Sequence, residues 1–153
     1  YRSDDLGEHW VFKHEGMIKV QKESAMSLGV NGILIDPSDP ARLFAATTQG
    51  LFKSINGANS WTLEGSEIGP TFMIGVVLDR KSGAIYAGTN SGFFKSTDGG
   101  HRWVPKNEGM KNPVVRAIAV DPKHSGVLFI GTQDGLYKSI DAGERWRLLH
   151  GYK

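Results

Sequence analysis

The chain has 153 residues, 39% hydrophobic and 22% charged, and its 20 glycines point to one globular domain rich in turns. A formal net charge of +2 with no basic run leaves no electrostatic footprint for nucleic acid or an anionic membrane. The absence of cysteine excludes disulfides and thiolate-bound metals, and no run approaches the roughly 18 apolar residues of a membrane span.

Taken in order, the chain is a repeat. Its four tryptophans fall at 10, 61, 103 and 146, spaced 51, 42 and 43 residues apart. One four-stranded propeller blade has a period of about 40–50 residues. Each tryptophan closes a copy of Ser-x-Asp-x-Gly-x-x-Trp. The copies hold Ser3, Asp5, Gly7 and Trp10; Ser96, Asp98, Gly100 and Trp103; and Ser139, Asp141, Gly143 and Trp146. A divergent copy holds Ser54, Asn56 and Trp61, with Ala58 at the glycine position and Gly57 one place earlier.

The chain opens on Tyr1-Arg2-Ser3, which aligns with Phe52-Lys53-Ser54, Phe94-Lys95-Ser96 and Tyr137-Lys138-Ser139. It therefore starts inside the third strand of a blade, and residues 1–17 read as half a blade, strands C and D. Full blades are expected at about 30–66, 73–109 and 114–150. Strand A is an almost continuous apolar run, Ile33-Leu34-Ile35 or Ala117-Ile118-Ala119-Val120, which predicts an innermost strand buried on both faces. Strand B follows (Leu43-Phe44-Ala45-Ala46-Thr47, Ile85-Tyr86-Ala87-Gly88-Thr89, Leu128-Phe129-Ile130-Gly131-Thr132), then strand C. Strand D is short and mixed; Pro105 cannot donate to a ladder, which suits an outer edge. The expected fold is all-β, a propeller segment of about three and a half antiparallel blades. That falls short of a closed ring of about four to eight blades. The ring is expected to close with another chain or a missing part of the same protein, and a homodimer is one solution.

The repeated turn reads as structural. Serine and aspartate accept backbone N–H bonds, and the glycine admits a positive φ. One aspartate per repeat, spread around a ring, cannot converge on one substrate. The pattern resembles the Asp-box, or BNR repeat, of sialidases, sortilin-type receptors, xyloglucan-cleaving glycosidases and photosystem II assembly factors. The form "LFIGTQDGLYKSIDAGERW" is most similar to the assembly-factor and xyloglucanase-like branch. The resemblance implies a β-propeller with structural turns at its periphery, protein or carbohydrate as partner, and an extracytoplasmic or secreted setting. It does not choose among the family's functions.

Strand order predicts two rims. The repeated turns share one with the Asp-Pro turns at Asp36 and Asp121. The B–C turns and the D–A linkers share the other, which varies more between repeats and is the expected binding face. There Asp134 is the only carboxylate in a B–C turn, beside Gln133. In xyloglucanase-like relatives a catalytic aspartate occupies a similar turn, within Thr-Asp-x-Gly-Gly; this chain has Thr132-Gln133-Asp134-Gly135. Glycoside hydrolysis generally needs a second carboxylate about 5–9.5 Å away, and Glu108 and Glu67 are the available partners. The structural alternative is an ordinary Asp-Gly turn residue. Arg116 and its counterpart Asn31 enter strand A near the axis, where an arginine can bind an acidic group. Sialidase chemistry lacks its arginine cluster. The linker 11–29, with Lys13, His14, Glu15, Lys19, Lys22 and Glu23, reads as a connection or a protruding partner loop. No histidine spacing suits zinc and no glycine-rich loop suits a phosphate, so neither metal nor cofactor is expected. The first expectation is a non-catalytic binding or assembly module; the second is part of a glycoside hydrolase with Asp134 as one acid.

Overall fold

The computed structural model describes residues 1–17 and 28–151. Among these residues there is no helix. Twelve strands run in order: β1 (Val30–Ile35), β2 (Leu43–Thr47), β3 (Gly50–Ser54), β4 (Thr62–Glu64), β5 (Met73–Leu78), β6 (Ile85–Thr89), β7 (Phe93–Ser96), β8 (Val104–Pro105), β9 (Val115–Val120), β10 (Leu128–Thr132), β11 (Gly135–Ser139) and β12 (Arg147–Gly151). They form three antiparallel four-stranded meanders, β1–β4, β5–β8 and β9–β12. Strand β1 packs on β5, and β5 on β9. The chain is a partial β-propeller of about three blades, with the first strand of each blade innermost. Ahead of them, Arg2 and Val11 exchange both backbone hydrogen bonds at 2.8 Å.

Blades are held together by apolar layers between their faces. One layer joins Phe44, Ala46 and Leu51 of the first blade to Val76, Ile85, Phe94 and Trp103 of the second. The next joins Tyr86 and Phe93 to Leu128, Ile130, Tyr137 and Trp146. A third, smaller layer packs Met17 on Leu43, Phe52 and Trp61. The expectation that strand A is buried on both faces fails for β1 and for β9, where Ala117 and Ala119 are exposed. Ile33 and Ile35 are 60% and 56% exposed, whereas Val76, the counterpart of Ile33 in β5, is 6% exposed. The strands buried throughout are β2, β3 and β6. The physical reason is position: among the described residues β5 has a blade on each side, whereas β1 and β9 each pack on the second blade alone.

The four repeated turns share one hydrogen-bond set. The serine Oγ accepts the N–H four residues on, from Gly7, Ala58, Gly100 or Gly143, at 2.7, 3.0, 2.9 and 2.9 Å. Its hydroxyl donates to Oδ1 of Asp5, Asn56, Asp98 or Asp141. That oxygen also accepts the N–H of His9, Ser60, Arg102 or Arg145. Two successive residues are left-handed in every copy: Leu6 and Gly7, Gly57 and Ala58, Gly99 and Gly100, Ala142 and Gly143. The divergent copy therefore keeps the conformation with asparagine and alanine. These backbone N–H groups, first that of the residue preceding each tryptophan, hold the carboxyls of Asp5, Asp98 and Asp141 below their usual range.

Linkers clip onto the next blade. Glu15 and Glu108 carbonyls accept the N–H of Trp61 and Trp146 at 2.8 and 2.9 Å. Gly16 and Gly109, at φ +87° and +89°, lie so close that an added Cβ would sit 1.9 and 2.1 Å from the Trp61 and Trp146 carbonyl oxygens. This explains why the sequence around Glu15 echoes that around Glu108. Lys19, Lys22 and Glu23 of the same linker lie outside the described residues.

The A–B turns interlock as well. Asp79 is 3% exposed. Burial pushes its carboxyl up, but the Ser125 hydroxyl and the N–H groups of Lys81 and Gly126 outweigh that and bring it to about 2. The folded value lies below the ordinary 3.8, so the stability it contributes is whole above that pH and lost as pH falls toward 2. Urea midpoints measured from pH 5 to 2 should drop over that window, and Asp79→Asn should flatten the drop. Gly83, at φ +75°, has no atom within 4 Å of an added Cβ. Gly83→Ala should therefore cost about 1 kcal/mol for its backbone alone, and Gly109→Ala about 3 kcal/mol or more because it also meets the Trp146 carbonyl. Urea unfolding of the two variants measures the difference.

Candidate functional site

In each blade the threonine ending strand B clips the B–C turn. The hydroxyls of Thr47, Thr89 and Thr132 donate to the carbonyls of Gly50, Gly92 and Gly135 at 2.8, 2.9 and 3.0 Å. The third turn adds Asp134. Its Oδ1 accepts from the Thr132 hydroxyl at 2.5 Å and its Oδ2 from the Tyr137 hydroxyl at 2.7 Å. The Tyr137 oxygen accepts in turn from the Lys111 N–H at 3.3 Å. The Thr132 and then the Tyr137 hydroxyl hold the Asp134 carboxyl below its usual range. A carboxylate so held stays ionised at neutral pH and is poorly suited to general acid work. Gln133 is exposed beside it.

Asp134 and Glu108 share no hydrogen-bond partner. Glu108 pairs with Arg145 Nε at 3.1 Å, inside the repeated turn of the third blade. The two rims are thus joined there, because the linker crosses to the next blade's tryptophan. Glu67 is exposed and contacts the neighbouring Ser66 hydroxyl at 3.4 Å. Asn31 and Arg116 prove to be the extra residues of β-bulges in β1 and β9, as is Ile74 in β5. A bulge re-aims its side chain out of the alternation. Asn31 uses this to donate from Nδ2 to the Met73 carbonyl of the next blade at 2.7 Å; Arg116 is exposed. Asp5, Glu8 and His9 bring their side-chain ligand atoms within 4.8 Å of one another, all exposed. Both Asp5 oxygens there already accept from His9, Oδ1 from its N–H and Oδ2 beside its Nδ1.

A large concavity lies elsewhere. An open groove of about 950 Å³ runs between the N-terminal segment and the first blade. Ile33, Ile35, Leu43 and Trp61 form one wall, and Tyr1, Phe12 and His14 the other. Two buried polar atoms on this groove have no hydrogen-bond partner among the described residues, Trp61 Nε1 and His14 Nδ1. Their counterparts are satisfied: Trp146 Nε1 donates to the Lys106 carbonyl, and Asn107, which aligns with His14, accepts the Phe93 N–H. The backbone pairing of residues 1–3 runs through Arg2 and Val11 alone among the described residues. Sequence reasoning did not assign this groove.

No family model matches the chain, and no curated protein matches it. Solved structures do. An ancestral GH74 enzyme superimposes with a TM-score of 0.69 at 21% identity, over 81% of this chain and 19% of that one. YCF48 from Cyanidioschyzon merolae gives 0.62 at 19% identity, over 80% of this chain and 37% of its own. The fold is a β-propeller's. A structure of YCF48 bound to a D1 peptide gives 0.59 at 19% identity, over 79% of this chain and 40% of that one. The chain thus spans well under half the length of each, and at these identities the shared property is the fold. Tyr137→Phe removes one donor to Asp134, so the Asp134 carboxyl should titrate at higher pH than in the parent, read from its carbon-13 chemical shift.

Proposed function

We propose that this chain is a non-catalytic propeller module of the Asp-box type that binds a protein segment in the groove between residues 1–17 and the first blade. The observation that carries this reading is the groove itself. It is apolar, it holds two buried polar atoms without a partner among the described residues, and it is bordered by residues 1–3, which pair through the single Arg2–Val11 bridge. An extended segment laid there adds its backbone to a strand and its apolar side chains to Ile33 and Ile35. The propeller of YCF48, solved with a D1 peptide, supports the idea that this fold can present a peptide site. The engaged state of Asp134 and Glu108 argues against an acid pair.

A second reading keeps Asp134 as one carboxylate of a glycoside hydrolase, favoured by its place as the only carboxylate in a B–C turn. Assay on xyloglucan and β-glucan oligosaccharides should show no release of reducing ends by the parent or by Asp134→Asn. Hydrolysis by the parent that Asp134→Asn abolishes would establish the second reading instead. For the groove, the probe is a peptide of this chain's own residues 30–47. It should bind saturably, shift the Trp61 fluorescence, and lose about tenfold or more in affinity to Ile33→Asp. Binding untouched by Ile33→Asp would place the site elsewhere.

A further inference from the structure

An asparagine followed by glycine is open to a reaction within its own chain. The glycine has no Cβ, so its nitrogen can approach the asparagine side chain. That nitrogen, as the amide anion, forms a bond to Cγ, and the Cγ–Nδ2 bond breaks. The amide proton passes through solvent to Nδ2, which leaves as ammonia. Water then opens the five-membered succinimide, giving aspartate or, through the other carbonyl, isoaspartate. The chain has two such pairs, Asn31-Gly32 and Asn56-Gly57. The second stands in the divergent repeated turn, at the position where the other copies hold Asp5, Asp98 and Asp141.

Asn56 is exposed, so burial does not keep water from it. Hydrogen bonds hold it instead. Its Oδ1 accepts from the Ser54 hydroxyl at 3.0 Å and from the Ser60 N–H at 2.9 Å, and its Nδ2 donates to the Ser60 hydroxyl at 2.8 Å. The nucleophile is held too: the Gly57 N–H donates to the Ala41 carbonyl at 2.9 Å. On the other side of Gly57, its carbonyl accepts from Arg2 Nη1 at 2.7 Å. Ring closure needs Cγ brought onto the Gly57 nitrogen in an aligned approach. That takes Gly57 off Ala41, Nδ2 off Ser60 and Oδ1 off both of its donors. Four bonds, each at the weak end for a net hydrogen bond, slow the reaction about thirtyfold.

We propose that Asn56 is a latent deamidation site, closed in the folded turn and open when the turn unfolds, and that refolding accepts only its aspartate product. The other copies already hold aspartate there, with the same serine hydroxyl and the same N–H four residues on. Aspartate at 56 asks for one change: the Ser60 hydroxyl turns from acceptor to donor, which its rotation allows. Isoaspartate carries the main chain through Cγ and lengthens it by one carbon. The Ser54 oxygen then no longer meets the Ala58 N–H, which it accepts at 3.0 Å in the parent. The left-handed pair Gly57 and Ala58, at φ 66° and 67°, loses its anchor. Deamidation therefore turns the divergent copy into the common one and adds a negative charge. It requires water and no groove ligand, so it does not depend on the groove reading.

The test follows Asn56 by mass mapping of peptides, with the chain folded in buffer or unfolded in concentrated urea at the same mildly alkaline pH and temperature. The unfolded chain should lose Asn56 and Asn31 at similar rates. The folded chain should lose Asn56 about thirtyfold more slowly. Ser60→Ala removes the acceptor of Nδ2 alone. It should raise the folded rate about twofold or more and leave the unfolded rate unchanged, with circular dichroism matching the parent. Asn56→Asp should refold with a urea midpoint no lower than the parent's. Isoaspartate, separated from aspartate in the peptide map, should be depleted from the refolded fraction. Equal rates in the folded and unfolded chain overturn the proposal. So does a folded rate indifferent to Ser60→Ala, an Asn56→Asp chain that fails to refold, or isoaspartate that refolds as readily as aspartate.

Discussion

A serine hydroxyl that takes the N–H four residues ahead is the contact on which the structure depends. It holds two consecutive residues in the left-handed region, which L residues other than glycine resist by about 1–2 kcal/mol each. The result is a turn flat enough to be pressed against another blade. Gly100 on Phe44 and Gly143 on Phe93 need that flatness, since a Cβ at either would enter the ring. The local turn is thus the means by which separate four-stranded sheets become one stack. Its aspartate belongs to the same hydrogen-bond set, which is why it is structural and held ionised.

Between blades, the ties are of three kinds, and each has a different radius. Near the axis, the bulge residue Asn31 reaches the Met73 carbonyl. At the A–B turns, Asp79 gathers Ser125 and Gly126 of the next blade. At the periphery, the linker carbonyls of Glu15 and Glu108 meet the next tryptophan. The apolar layers between supply most of the burial, and the polar ties set the rotation of one sheet against the next. The second blade has neighbours on both sides and buries its inner strand most completely. The groove reading arises where the first blade meets residues 1–17.

Much of the fold was legible in the sequence, because strand and turn chemistry repeat at fixed spacing. Thr at the end of strand B and Gly at the start of the B–C turn's second half recur and keep their roles. The candidate site was less legible. Placing Asp134 in a B–C turn was possible by counting strands. That Thr132 and Tyr137 occupy both its oxygens depends on side chains brought together across β10 and β11. Glu108, one of two carboxylates available as its partner in the hydrolase reading, pairs with Arg145. The linker that carries it crosses to the next blade, a path that strand order does not reveal.

By itself the sequence determined the period, the strand order within a blade and the conformation of the repeated turn. Those features rest on hydrogen bonds spanning four residues and on pairing between consecutive strands, so local residue types suffice. Only the tertiary structure decided which faces are covered. Ile33 and Val76 occupy the same place in their repeats, yet one is exposed and the other buried. Lys53 and Lys138 do likewise, yet among the described residues one holds a carbonyl and the other none. Burial between blades is a property of the neighbour, and identical residues differ when the neighbour does.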